Sequence, residues 1–265
     1  MNHHSTPELP HAGKVALVTG ASRLRGIGAA VCRALADQGA TIAFTHWRPY
    51  DRAFPWAGDD TDPDLLLADL RARGVPAEAW SIDLADPLAP EHLLTEITDR
   101  LGPVHLLVNN AAHSTADTID TLDAASLDAH AAVNLRATAL LTVGMIRRYP
   151  HPEGGRVVNL TSGQSLGPMG GELAYAATKG AVEAFTRSVA PEAMTRGVTV
   201  NAVNPGPTDT GWISDTLRTA LIPKCPAGRI GTPEDAARLI AWLCSPEAAW
   251  ITGQVINSEG GFVRE

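Results

Sequence analysis

Tyr175 and Lys179 stand four positions apart in the stretch Y-A-A-T-K, on one face of the helix that this stretch predicts. A free phenol has a pKa of about 10 and exchanges protons poorly near neutrality. Lowering it by about three units takes about 4 kcal/mol, and one cation about 4 Å away at an effective dielectric of about 20 supplies a similar amount. A lysine one turn away therefore suits a tyrosine that works as acid and base. The positive end of the helix acts in the same direction. On a solvated face the same pair would do no chemistry.

A second group of residues suits phosphate. In TGASRLRGIGAA, Gly20, Gly26 and Gly28 lie between a β-rich run and the start of a helical pattern. Such a turn aims free backbone N–H groups at a pyrophosphate, and a Cβ there would obstruct close approach and disfavour positive φ. An ordinary β-to-α turn also uses glycine. The position after the first strand of an alternating chain favours the dinucleotide.

The elements that position these groups are legible as an alternation. KVALVTG, ATIAFTHW, AEAWSIDL, VHLLVNNAA, GRVVNLTS, VTVNAVNPG and QVINSEGG read as strands, with nearly continuous Val, Ile and Leu in VALV, HLLV and RVVNL. The stretches between them, such as IGAAVCRALADQG and EHLLTEITDRLG, carry apolar residues at helical spacing and end in Gly. The expected fold is α/β, a Rossmann-type doubly wound parallel seven-stranded sheet with helices on both faces. Residues 14–265 form a single dinucleotide-binding catalytic domain, and residues 1–13, with His3, His4 and His11, form a flexible lead-in. One segment exceeds what a strand-to-helix loop needs: RPYDRAFPWAGDDTDPD, residues 48–64, is expected to be an ordered surface insertion, with Trp47, Tyr50 and Trp56 favouring packing.

These motifs together resemble the short-chain dehydrogenase/reductase family, from about Lys14 to Phe262 and most closely its 3-oxoacyl-carrier-protein reductase-like branch, whose terminal segment ITGQVINSEGGF is similar to. T-G-A-S-R followed by G-I-G matches the family's nucleotide signature, although five residues rather than the usual three separate Gly20 from Gly26. The resemblance implies an Asn134, Ser162, Tyr175 and Lys179 tetrad. In it Tyr175 exchanges the proton, Ser162 bonds the substrate oxygen, Lys179 also holds the nicotinamide ribose and Asn134 orders a water. It further implies cofactor contacts from Gly20, Ser22, Gly26, Ile27 and Gly28, from Asp83 and Leu84 at the adenine, from Asn110 and Ala111 in NNAA, and from Pro205, Gly206, Thr208 and Thr210 beside the nicotinamide. Asn109 is read equally as a tie between strands.

At the end of the second strand, where NAD-selective relatives carry a ribose-binding Asp, this chain has His46. A carboxylate there would repel a 2′-phosphate, whereas Arg23, Arg25 and Arg48 offer it cations, so NADP(H) is favoured and NAD(H) remains the alternative. Ser162, Gln164, Met169 and Trp212 are candidates for the substrate wall, with His113 and Glu172 nearby, and a substrate loop is expected at about 207–228.

The reaction implied is hydride transfer between nicotinamide and a small-molecule ketone or 3-oxoacyl-type carbonyl, or the reverse oxidation of a secondary alcohol. Carrier-protein docking is disfavoured because Pro191 stands where such reductases tend to show arginine. A non-catalytic NADP(H)-binding regulator is the first rival, disfavoured by the intact Ser162, Tyr175 and Lys179. An epimerase or dehydratase on the same fold is the second, disfavoured by the chain's length. The formal charge of −8 with no Lys/Arg run argues against nucleic acid or an anionic membrane as partner. The N-terminus lacks a secretory pattern, and no apolar run approaches membrane-spanning length. Cys32, Cys225 and Cys244 form no C-x-x-C pair, so no metal site is expected and a reducing, cytoplasmic setting fits. The resemblance implies a homotetramer, with a homodimer as alternative.

Overall fold

The computed structural model describes residues 9–264. Seven strands, β1 (Val15–Val18), β2 (Thr41–His46), β3 (Ala77–Ser81), β4 (Val104–Asn109), β5 (Gly155–Leu160), β6 (Val198–Asn204) and β7 (Val255–Asn257), form one sheet in the order β3-β2-β1-β4-β5-β6-β7. Every pairing is parallel. Because successive strand side chains point to opposite faces, Ala16 and Val18 of β1 enter one core layer while Val15 and Leu17 enter the other. Both faces are covered, which is why these strands read as unbroken apolar runs.

Helices α1 (Ile27–Asp37), α3 (Asp62–Ala72) and α9 (Pro233–Cys244) contribute to the first layer. Helices α4 (Ala89–Leu101), α6 (Thr138–Arg148) and α7 (Leu173–Met194) contribute to the second. Shorter helices α2 (Arg48–Asp51), α5 (Ala124–His130) and α8 (Asp215–Leu221) lie in the connections. The three cysteines are buried free thiols. Strand order reverses between β1 and β4, and in open parallel sheets the crevice beyond the strand ends at that point is where a ligand fits.

Two expectations are corrected. The end of the lead-in is packed: His11 is buried and its backbone N–H donates to the Gln38 carbonyl, because Leu9 to Lys14 fold against the α1 to β2 turn. His3 and His4 lie outside the described residues. Second, α5, a π-helical segment Ala131–Ala137 and α6 join into one helical run, Ala124–Arg148, long and apolar enough to cross a membrane by length and composition. Half of its apolar window is buried within the fold, where Leu141 and Met145 meet α4 and the sheet.

Candidate active site

One cleft of about 1050 Å³ opens at the carboxyl ends of the strands. Its floor begins at the turn after β1. Gly20 has φ +72°, and a Cβ on it would stand 2.6 Å from the Ala111 Cα, so only glycine lets this turn lie against the loop after β4. Gly28 does not line the cleft; its place is structural, since a Cβ would meet the Gly20 carbonyl and the Asn110 amide at 2.8 Å. Gly26 and Ile27 open α1 into the cleft with no side-chain cap and no acidic residue in the first turn. The exposed positive end of an 11-residue helix suits a pyrophosphate.

The dinucleotide positions mostly converge. Ser22, His46, Asp83, Leu84, Asn110, Ala111, Pro205, Gly206, Thr208 and Thr210 all line the cleft. Asn110 is itself held there, its amide donating to the carbonyls of Thr19 and Gly20 at 2.9 and 3.0 Å. Asn109 ties strands together, donating to Asn159 Oδ1 at 2.8 Å and Thr142 Oγ1 at 3.1 Å beneath the cleft floor.

The three arginines part company. Arg23 lines the cleft. Arg25 is exposed outside it. Arg48 is buried and spent: its guanidinium donates to the carbonyls of Ser22, Ala57 and Gly58 and pairs with Asp60 at 3.2 Å. It holds the insertion together and is not a free cation for a phosphate.

At the other end, β5 runs into Thr161 and Ser162, and α7 carries Tyr175 and Lys179 on its first two turns. Asp117, from the loop before α5, caps this helix by accepting from the N–H groups of Leu173 and Ala174. Ser162 stands beside the Tyr175 phenol and draws its pKa down, while Ser162 Oγ donates to Met169 Sδ at 3.8 Å. The Lys179 ammonium is buried, donates to the Leu160 carbonyl at 2.8 Å and lies 5.5 Å from the centre of the Tyr175 ring. Burial holds it below the usual lysine range, at about 8.

Burial also pushes the Tyr175 phenol above its ordinary range, and the carboxylate of Glu172 adds to the rise against the nearby Ser162 hydroxyl. The lowering expected from Lys179 does not offset this rise, and the phenol is held neutral among the chain's own residues. Asn134, in the π-helical segment, has its side chain fully engaged: Oδ1 accepts from the His113 N–H at 2.7 Å while Nδ2 donates to the His113 carbonyl and to Thr178 Oγ1. It clamps the strand-end loop to α7, leaving its side chain no free donor for a water.

Of the substrate candidates, Ser162, Met169 and Trp212 line the cleft, and Trp212 is fixed by donating its indole N–H to the Thr208 carbonyl at 3.0 Å. Gln164 does not. Its amide turns away to Glu183 Oε1 and Thr161 Oγ1, because the buried Glu183 carboxylate draws the nearest donors.

The insertion reaches further than its sequence announces. Tyr50 packs against His113 with ring centroids 5.2 Å apart, and its hydroxyl both donates to the Ser114 carbonyl and accepts from the Ser114 N–H. Phe54 stacks between Tyr50 and Trp56, and all three rings line the cleft. Phe262 and Arg264 close it from the chain end. Only the aromatic content of residues 48–64 hinted at this wall; nothing local marks Asp117 or Arg264.

The chain is similar over nearly all its length to known proteins. Residues 20–263 match the family model described as enoyl-(acyl carrier protein) reductase. An uncharacterized oxidoreductase of Bacillus subtilis, YjdA, is 53% identical over 95% of this chain and 97% of its own. The 3-oxoacyl-acyl-carrier-protein reductase FabG of Vibrio cholerae is 37% identical over 94% and 97%. A short-chain dehydrogenase from Burkholderia cenocepacia, solved in complex with NADP, superposes with TM-score 0.84 at 34% identity, covering 95% of this chain and 98% of that one. With its sheet order, its glycine turn, its Ser and Tyr stations in one cleft and its Lys station buried behind them, this chain belongs to the short-chain dehydrogenase/reductase family of oxidoreductases.

Proposed function

We propose that the protein is an NADP(H)-dependent carbonyl reductase, in which Tyr175 gives its proton to the oxygen of a ketone or 3-oxoacyl-type substrate while hydride passes to the carbonyl carbon. The observation that carries this is the meeting of Ser162 and Tyr175 in the cleft wall with the Lys179 ammonium lodged under the ring, at the same cleft as the uncapped helix α1. A phenol kept neutral by burial is the form a proton donor needs. Ser162 and Tyr175 both direct a hydroxyl at the oxygen where negative charge grows, which is worth more in a dry cleft than in water.

The bound nicotinamide supplies the hydride. Gly26 and Ile27 would hold its pyrophosphate, Asp83 and Leu84 its adenine, and Pro205 to Thr210 its nicotinamide end. The preference for NADP(H) is supported by His46 in place of an acid at the end of β2, by Arg23 in the cleft, and by the NADP complex of the Burkholderia relative. The substrate is a small molecule, and an apolar, partly aromatic carbonyl compound suits the wall of Tyr50, Phe54, Trp56, Met169 and Trp212. We infer a homotetramer, with a homodimer as the alternative, from the similarity of the chain's terminal segment to that branch of the family, and a cytoplasmic setting from its buried free thiols.

The test is absorbance of NADPH and NADH against a panel of ketones, 3-oxoacyl thioesters and quinones. Oxidation of NADPH by at least one carbonyl class supports the reading. Tight NADPH binding with no turnover across the panel points to a regulator instead.

A further inference from the structure

The geometry points to Asp51 as the residue that sets how strongly this cleft prefers NADP(H) over NAD(H), a proposal that rests on the cofactor reading above. The end of β2 carries no acid, yet a carboxylate reaches the same corner from α2, five residues later. Asp51 lines the cleft together with Ser22, Arg23 and His46. It is buried, stands beside the Ser22 side chain, and lies 3.8 Å from Arg23 Nε through Oδ1 and 3.5 Å from Arg48 Nη1 through Oδ2. Its Oδ2 is enclosed beside Arg48 and makes no hydrogen bond among the described residues, while Oδ1 faces Arg23.

Arg48 is saturated by three carbonyls and Asp60, so it cannot turn to a ligand without unfastening the insertion. Arg23 is the cation left at this corner of the cleft. It is itself tied, donating to the carbonyls of Thr210 at 3.3 Å and Trp56 at 3.5 Å. A 2′-phosphate would have to share Arg23 with Asp51 and to tolerate a like charge beside it. A ribose 2′-hydroxyl would instead donate to Asp51 Oδ1, the oxygen on the Arg23 side. The carboxylate thus favours NAD(H) and opposes NADP(H), and the insertion tempers a selectivity that Arg23 and His46 alone would make steeper.

The experiment is titration of NADPH and NADH by the fluorescence of the reduced nicotinamide, on the wild-type protein and on Asp51→Asn. The amide keeps the shape and the contact with Ser22 but not the charge. The expected result is NADPH binding about tenfold tighter and NADH binding unchanged or weaker. A ratio of dissociation constants that stays within about twofold of wild type overturns the proposal.

Arg23→Gln gives an independent reading should the first variant not fold. NADPH binding should weaken by about tenfold or more while NADH binding changes little. Equal loss for both nucleotides overturns it. Failure of the wild type to bind either nucleotide would remove the cofactor reading itself, a result distinct from an unmoved ratio.

Discussion

The Lys179 ammonium lies 5.5 Å from the centre of the Tyr175 ring while donating to the Leu160 carbonyl at 2.8 Å, so the charge beneath the phenol is fixed by backbone and not by a counter-ion. Among the described residues no carboxylate pairs with it. Its burial makes it easier to discharge.

That last property sets a pH limb. Lys179 loses its proton at about 8, against an ordinary 10.5. Above that point a neutral amine no longer stabilises negative charge on Tyr175 or on the substrate oxygen. The rate of carbonyl reduction at saturating NADPH is therefore expected to fall as pH rises through about 8, as seen in a profile taken from about pH 6 to about pH 10. A flat profile over that range contradicts the role given to the ammonium. The same shift has a stability counterpart of fixed sign: between the folded and unfolded values the unfolded chain binds more protons, so Lys179 adds stability as pH rises through that window.

Gly20 and Gly74 offer a matched pair. Both have positive φ, +72° and +84°, but a Cβ on Gly20 would meet Ala111 at 2.6 Å whereas one on Gly74 meets nothing within 4 Å. Gly74→Ala should cost about 1 to 2 kcal/mol, the backbone strain alone. Gly20→Ala should cost more than that and weaken NADPH binding, because the turn and the loop after β4 must separate. Denaturant midpoints for the two variants check the first point, and equal losses would contradict the packing argument.

His11 makes a prediction at the opposite end of the pH scale. Burial holds it near 4, below its ordinary 6.5, so the unfolded chain takes up a proton where the folded one does not. Stability contributed here is lost as pH falls from about 6.5 to about 4. His11→Leu should lose less denaturant stability than wild type between about pH 7 and about pH 5, a comparison that a parallel decline would refute.

The sheet was legible because a strand buried on both faces has to be apolar at every position, as in Val15 to Val18, and because glycine cannot be exchanged at Gly20. The conjunction of Ser162, Tyr175 and Lys179 was legible through the family resemblance, since spacing alone places only Tyr175 and Lys179 on one helix face. What escaped the sequence were contacts decided by long-range neighbours. Tyr50 meets Ser114 across 64 residues and Asp117 caps α7 across 56, with no local pattern to announce either. Arg48 and Gln164 carry suitable chemistry, but Asp60 and Glu183, which no periodicity relates to them, take up their donors. The lead-in was misjudged at His11, whose burial depends on the α1 to β2 turn and on α9.

The central claim is that the proton given to the carbonyl oxygen comes from the Tyr175 hydroxyl. Tyr175→Phe removes that oxygen and keeps the ring above Lys179, so NADPH titration and turnover on the same sample separate binding from chemistry. The account predicts NADPH affinity close to wild type with turnover reduced by about a thousandfold or more. Turnover within about tenfold of wild type, with binding intact, would contradict it.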